Sequence, residues 1–332
     1  MIVCTIAAEN YLHKAFVLAE SLRLHEERAR LVICVPERQI HPAVAGSGLF
    51  DVAFTLEDLG YPNPDQFAFR HGVLELSTAI KPRVMRAALA LFPESTAVIY
   101  LDPDIVLFGP LAAAHSTLQE ADVVVTPHHL TPPDAATLVP LLRTGAWNLG
   151  FLGVRRSDAG LAFLTWFTTT LETMCYTDPA TGLFVDQKWM DLAGSFFPVT
   201  VLRDATYNVA HWNLQARPID VSDDVLTVDG ARLTFIHFSG TDLGRDQRFF
   251  LRWAPRGDEA VHELRCSYKA STARWRDRFR FSTVWSYDTY DSGEIVAREA
   301  RLVVRAERHL LDECEHPFAQ SNEYFLSRSR TH

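Results

Sequence analysis

The feature that limits this chain most is an alternation in its first half. Short, continuous apolar runs take turns with stretches whose apolar residues fall at helical spacing. Ile2-Val3-Cys4-Thr5-Ile6-Ala7 reads as a strand buried on both faces. Residues 11–25 follow with Leu12, Phe16, Leu18, Ala19 and Leu22 on one helical side. Further strands are expected over 31–35, ended by Pro36, and over 51–54, 97–101 and 121–126. A helix is expected over 78–91, with Lys81, Pro82 and Arg83 in its first turns, where proline is tolerated. This alternation implies the α/β class: a mostly parallel sheet flanked by helices, Rossmann-like in plan. Ligands of such sheets bind beyond the carboxyl ends of the strands.

Composition narrows the function classes. The formal charge is 32 − 41 = −9, which argues against a general nucleic-acid binder, whose affinity rests on cationic contacts to phosphate. An acidic protein still holds an anionic nucleotide when a divalent metal bridges the two. The five cysteines, Cys4, Cys34, Cys175, Cys266 and Cys314, lack metal-like spacing and read as reduced thiols. The chain enters a strand-like run at once, without a basic leader, and carries no apolar stretch long enough to span a membrane. A cytoplasmic protein is therefore expected.

The second half is less regular. Residues 148–154 read as a strand, 161–175 and 185–193 as helices, 235–238 as a strand and 298–311 as a helical run of alternating charge. From Arg245 to Arg280 ten Arg or Lys stand against five Asp or Glu, interleaved with aromatics. The change in character near Gly244 divides the chain into a core domain over 1–243 and a helical C-terminal appendage over 244–332. The basic-aromatic stretch fits a charged helix face, a peripheral contact with a membrane surface or a partner interface.

Asp102-Pro103-Asp104 is the one D-x-D in the chain. Two carboxylates two residues apart, just past a buried strand, can aim oxygens at one hard cation such as Mg²⁺ or Mn²⁺. Aspartate pairs are common in turns, so context decides. Val98-Ile99-Tyr100-Leu101 on one side and Ile105-Val106-Leu107-Phe108 on the other would bury the triplet, and burying two unpaired carboxylates is expensive. A metal removes that penalty. His237, in Ile236-His237-Phe238-Ser239-Gly240, is a further candidate ligand, against the plainer reading of a hydrogen-bonded core histidine.

In order along the chain stand Tyr100-Leu101-Asp102-Pro103-Asp104-Ile105, Asn148-Leu149-Gly150-Phe151, Gly182-Leu183-Phe184-Val185-Asp186-Gln187-Lys188-Trp189 and the His237 segment. This set resembles bacterial GT-A-type glycosyltransferases related to the glycogenin and lipooligosaccharide galactosyltransferase group, over roughly residues 1–243. The resemblance implies a GT-A-like fold. It also implies metal-dependent transfer of a sugar, with retention, from a nucleoside-diphosphate sugar to an acceptor hydroxyl on a small molecule, glycan, natural product or lipid-linked compound. Asp102, Asp104 and His237 would hold Mn²⁺ or Mg²⁺, Asp102 also lying near the ribose. Asp186 and Gln187 would sit beside the anomeric carbon, and Asn148 and Gly150 would line the donor sugar or the acceptor side. Lys81 would face the diphosphate or the first aspartate, and Ala7, Ala8, Glu9, Asn10 and Tyr11 would hold base and ribose. The sequence departs from the group's pattern at Lys188, where an acidic residue is usual, and after Gly240, where Thr241-Asp242-Leu243 replaces a phosphate-gripping lysine. Lys81, Arg83, Arg245 and Arg248 are then the cations left for the diphosphate.

Each of these residues also has a plainer reading: Asp186 as a helix N-cap, Lys81 as a solvated helix lysine, and Trp147, Trp189 and Trp212 as core aromatics. His128 and His129 read as a surface loop, and Asn208 and His211 as a polar loop lining the site. Two rival functions stand beside the transferase. One is a nucleotidyltransferase, disfavoured because Ala7-Ala8-Glu9-Asn10 is no glycine-rich phosphate loop. The other is a non-catalytic sugar-nucleotide-binding partner protein.

Overall fold

The computed structural model describes residues 1–223, 225–240 and 259–328. Its centre is a seven-stranded sheet built from β1 (Ile2–Ile6), β2 (Arg30–Cys34), β3 (Val52–Phe54), β4 (Ala97–Leu101), β6 (Val123–Pro127), β7 (Trp147–Arg155) and the strand Val199–Val201. From one edge to the other the order is Val199–Val201, β6, β7, β4, β1, β2, β3. Four of the neighbouring pairs are parallel; β7 alone runs against both of its neighbours. Helices Leu12–His25, Lys81–Leu91 and Asp158–Met174 cover the sheet. The α/β layout expected from the alternation is present.

The reversal of β7 shapes the carboxyl edge of the sheet. Pro127, ending β6, pairs with Trp147, opening β7, so the chain between them turns back at that edge. The start of β7 thus lies beside the end of β4, where Leu101 pairs with Phe151 and the Asp102 amide donates to the Gly150 carbonyl at 2.8 Å. A second, three-stranded sheet completes the edge. In it Phe235–His237 pairs parallel with Val209–Ala210 and antiparallel with β5 (Ile105–Leu107), which puts His237 opposite Ile105.

Some boundaries differ from expectation. The helix expected over 78–91 is two, Val73–Ala79 and Lys81–Leu91. The second starts where Pro82 can occupy its first turn without losing a hydrogen bond. The run over 298–311 likewise divides into Arg298–Ala306 and His309–Asp312. All five cysteines are free, and Cys4 and Cys34 fill the core.

The C-terminal residues pack onto this body. Trp275 of Glu259–Phe279 lies 4.7 Å from Phe16 and donates to Glu20, and Tyr268 stacks on Phe238 at 4.1 Å. Trp285, Tyr290, Phe318 and Phe325 join the core cluster that also holds Phe69 and Leu76. The buried Arg301 guanidinium donates to the carbonyls of Phe69, His71 and Tyr287. Residues 245–258 of the basic-aromatic stretch, with Arg245 and Arg248, lie outside the described residues. No helix among the described residues is long and apolar enough to cross a membrane.

Candidate metal and sugar-nucleotide site

Asp102, Asp104 and His237 converge at the carboxyl edge of the sheet, with one potential ligand atom from each all within 4.8 Å of one another. His237 Nε2 is 2.9 Å from Asp104 Oδ1 and 3.6 Å from Asp102 Oδ2. Two pairings fix this: the main chain of the triplet is held to Gly150, and the Asp104 carbonyl accepts the Phe238 amide at 2.8 Å. Asp104 is buried as expected, whereas the Asp102 side chain keeps 29% of its surface exposed. The two acids are therefore not equivalent.

Their electrostatics differ accordingly. Burial pushes the Asp104 carboxyl upward, but His237 and then Lys14 outweigh it and hold the group at about 2. Burial lowers the pKa of His237, and Asp104, followed by Asp102, more than reverses this. Lys14, wholly buried, has its ammonium 3.9 Å from Asp104 Oδ2 and 4.0 Å above the Tyr11 ring. No motif marks Lys14, which sits on the apolar helix Leu12–His25 and is absent from the sequence-based candidates.

The far side of the imidazole settles its tautomer. His237 Nδ1 lies 3.2 Å from both Asn148 Oδ1 and Asn208 Oδ1, so it carries the hydrogen that these oxygens accept. Asn148 Oδ1 also accepts from the Gly150 amide and from Asn208 Nδ2, whose other bond is to Thr126 Oγ1, so the amide orientations are consistent. Nε2 is left facing the carboxylates. An imidazole oriented by outer amides, with two carboxylates, is a donor set that suits a divalent cation such as Mn²⁺. Gly150 is required here: a Cβ would lie 2.5 Å from His237 Cε1 and 2.8 Å from Asn148 Oδ1.

A second charged pair lies alongside. Asp186 and Lys81 form a buried ion pair, and the Lys81 ammonium also donates to the Leu149 carbonyl at 2.9 Å. Burial raises the Asp186 pKa, with Lys81 opposing. The same ammonium lies 4.2 Å from the Tyr100 ring, whose hydroxyl donates to Asp102 Oδ1 at 2.8 Å. Tyr100 thus connects the Asp186–Lys81 pair to Asp102 and its neighbours. The plainer readings of both residues fail: Asp186 precedes the helix Gln187–Ala193 without a side-chain capping bond, and Lys81 is not solvated. Asp186 follows Val185 at φ 41°, a conformation that a β-branched residue avoids.

Other expected residues are placed as follows. Gln187 is buried, its Nε2 donating to the Thr144 carbonyl at 2.7 Å. Arg83 points elsewhere, pairing with Glu172 and donating to the carbonyls of Leu59 and Gly60. Ala7 and Ala8 are buried, while residues Glu9–Tyr11 make a short turn in which the Glu9 carboxylate accepts the Ser282 amide at 2.7 Å. Asn208 and His211 do line the cluster; burial and then His237 lower the His211 pKa to about 4. His128 is a correction. It is buried rather than on a surface loop, its Nδ1 donating to the Ala146 carbonyl and its Nε2 facing Asn148 Nδ2 at 3.4 Å. Trp212 is half-buried, with its ring edge-on to His237 at 5.4 Å.

No protein-family model matches the chain. Two similar proteins come from Bacillus subtilis (strain 168). The uncharacterized protein YfnF is 24% identical over 247 residues, covering 71% of this chain and 80% of YfnF. The uncharacterized protein YfnD is 23% identical over 283 residues, covering 83% and 90%. Among solved structures, the galactosyltransferase LgtC in complex with donor and acceptor sugar analogs aligns over 80% of this chain and 96% of its own, with 15% identity and TM-score 0.48. The glycosyltransferase GlyE of Streptococcus pneumoniae TIGR4 aligns over 83% of this chain and 63% of its own, at 13% and 0.49. Mouse xyloside xylosyltransferase 1 aligns over 73% and 99%, at 15% and 0.44.

Proposed function

We propose that this chain is a metal-dependent GT-A-type glycosyltransferase that moves a sugar from a nucleoside diphosphate to an acceptor hydroxyl with retention of configuration. The observation that carries the reading is the convergence of Asp102, Asp104 and His237 at the sheet's carboxyl edge, with the buried Asp186–Lys81 pair beside them. A divalent cation there, Mn²⁺ before Mg²⁺ because one donor is an imidazole nitrogen, supplies stabilisation of the negative charge that grows on a departing diphosphate.

The protein's own groups divide the remaining work. Asp104 and His237 are held from behind and keep their donor atoms aimed forward; Asp102 retains exposed surface for a ribose hydroxyl as well. Asp186 places buried negative charge near the cluster, where it would oppose positive charge developing on the sugar. Its commitment to Lys81 makes it a poor general base, which favours a front-face course in which the leaving phosphate takes the acceptor proton. Asn10 supports the assignment of residues 7–11 to the nucleotide. Its Oδ1 is buried with no hydrogen-bond partner among the described residues, and an amino group of a base or a ribose hydroxyl would satisfy it.

The test is incubation with Mn²⁺ and UDP-, GDP- and dTDP-sugars, with free nucleoside diphosphate and the anomeric configuration of the product as readouts. Metal-dependent release of diphosphate is expected. Release of pyrophosphate from a nucleoside triphosphate would establish a nucleotidyltransferase instead, and tight binding of a sugar nucleotide without turnover would establish a binding protein.

A further inference from the structure

A second cleft, lined by residues that take no part in the metal cluster, lies where three parts of the chain meet, and its chemistry is that of an anion site. Its volume is about 430 Å³. Its walls come from the segment around Tyr61–Arg70, from the C-terminal end of Asp158–Met174 and from residues 308–312. Tyr61 and Phe67 stack at 4.2 Å to form an aromatic floor. The Arg83 guanidinium lies 4.2 Å over the Tyr61 ring and that of Arg70 5.2 Å over Phe67, while Arg308 reaches in from the C-terminal side.

These three cations are unequally satisfied. Arg83 is paired with Glu172. Arg70, half-buried, makes one side-chain hydrogen bond among the described residues, a long 3.4 Å contact to the Glu172 carbonyl, and burial lowers its pKa. Arg308 donates to the Thr173 carbonyl at 2.8 Å. Among the described residues neither Arg70 nor Arg308 has a carboxylate within ion-pair distance. For the half-buried Arg70, loss of water without a counter-charge is unfavourable; Arg308 is exposed, and each guanidinium offers the forked donors that a phosphate accepts. Tyr61 adds an independent observation: more than nine-tenths buried and lining the same cleft, its hydroxyl has no hydrogen-bond partner among the described residues.

We propose that this cleft binds the phosphate monoester of a small polyhydroxylated molecule, a sugar phosphate in class, with Arg70 and Arg308 on the phosphate and Tyr61 donating to it. Glu172 and Asp312, on the same walls, accept from the hydroxyls. The cleft volume suits a ligand of that size. Because Arg83 and Lys81 lie on the first turn of one helix, Lys81–Leu91, a ligand here also bears on the element that holds Asp186.

The experiment is calorimetric titration of the full chain with glucose 6-phosphate in metal-free buffer, with glucose as the neutral control. Saturable binding is expected for the wild type and equally for Asp104→Asn. Arg308→Gln, on the surface, and Arg70→Gln should each weaken it at least about tenfold, since each removes a charge-assisted hydrogen bond. Melting curves of the unliganded variants show whether each is folded, and Arg308→Gln carries the test if Arg70→Gln is not. Absence of saturation at millimolar ligand, or unchanged affinity in the folded arginine variants, overturns the proposal. Loss of binding in Asp104→Asn alone also overturns it, by placing the anion at the other site.

Discussion

Replacing Gly150 by alanine tests the arrangement behind the proposed metal ligands, because it adds one methyl group where three atoms already stand. The new Cβ would lie 2.5 Å from His237 Cε1, 2.7 Å from His237 Nδ1 and 2.8 Å from Asn148 Oδ1. Each approach is closer than carbon tolerates, and neither neighbour is a loose chain end. His237 is held by two asparagines on one side and Asp104 on the other. Asn148 is held by Gly150 and Asn208. Overpacking of this kind costs about 1–3 kcal/mol, and loss of one or two of the surrounding hydrogen bonds adds about 1 kcal/mol each. The imidazole must turn, and Nε2 then leaves its position between the carboxylates.

Two measurements separate the consequences. Calorimetric titration with Mn²⁺ should show affinity about 10–100-fold weaker than wild type, the usual cost of disturbing an outer partner of a ligating histidine. Denaturant melts should show the stability loss. Gly153→Ala, three positions along the same strand, is the control. Its Cβ would meet Leu118 methyls at 3.0 and 3.3 Å, which can shift, so a small stability loss with unchanged Mn²⁺ affinity is expected. If Gly150→Ala binds Mn²⁺ as the wild type does, the imidazole is not positioned by these contacts and the reading of His237 as a ligand is refuted.

The other expected outcomes are simpler. Lys81→Met strips the partner from a buried carboxylate and should cost about 3–5 kcal/mol in urea melts. The double change Lys81→Met/Asp186→Leu should recover most of that, since it leaves no unpaired charge. Asp104→Asn should abolish detectable Mn²⁺ binding, whereas Asp102→Asn should weaken it less. His71 should give an acid limb to stability. Burial and then Arg70 hold its folded pKa well below the usual 6.5, and its Nε2 is buried without a partner among the described residues. A histidine with a depressed folded pKa contributes full stability above about pH 6.5 and loses up to about 1.4 kcal/mol per pH unit as pH falls below it. His71→Phe, which keeps the ring beside Phe67 and Tyr176, should flatten that part of the pH profile relative to the wild type.

How much of the fold and the site is legible in the sequence depends on whether the determinants are local. The strand before the triplet is legible to the residue, because Ala97 to Leu101 is continuously apolar and ends at Asp102. The sheet class follows from alternation. What sequence does not carry is the reversal of β7, which needs the pairing of Pro127 with Trp147, and hence the reason that Asn148 stands behind His237. Lys14 is hidden for a different reason. A lysine within Leu12-His13-Lys14-Ala15-Phe16 reads as the polar side of an amphipathic helix, yet this helix is buried around that position as well. His128 misleads because adjacent histidines after a proline suggest a turn, and only the Asn148 and Ala146 contacts show that one of them faces inward.

The three candidate metal ligands are fixed unequally, and that inequality fits the division of roles proposed for them. Asp104 is approached by groups from two elements: Lys14 from Leu12–His25 and His237 from Phe235–His237, with the Phe238 amide, just past that strand, on its own carbonyl. Nothing in that environment can move without disturbing a buried charge. Asp102 has a hydrogen-bonded main chain, but among the described residues its carboxylate receives one hydrogen bond, from Tyr100, on one oxygen. The other oxygen faces His237 from 3.6 Å, too far for a direct bond. A ligand that must serve both a cation and a sugar hydroxyl needs such freedom, and one that only anchors the cation does not. Two of the five non-glycine residues with positive φ among the described residues fall beside this site. Val185 and Asn208 both adopt positive φ, at 41° and 54°, one immediately before Asp186 and the other behind His237. The backbone therefore bears strain at the β-branched Val185 that sets Asp186, takes a left-handed turn that asparagine tolerates at Asn208, and shows no positive φ at Asp102, whose side chain has room to adjust.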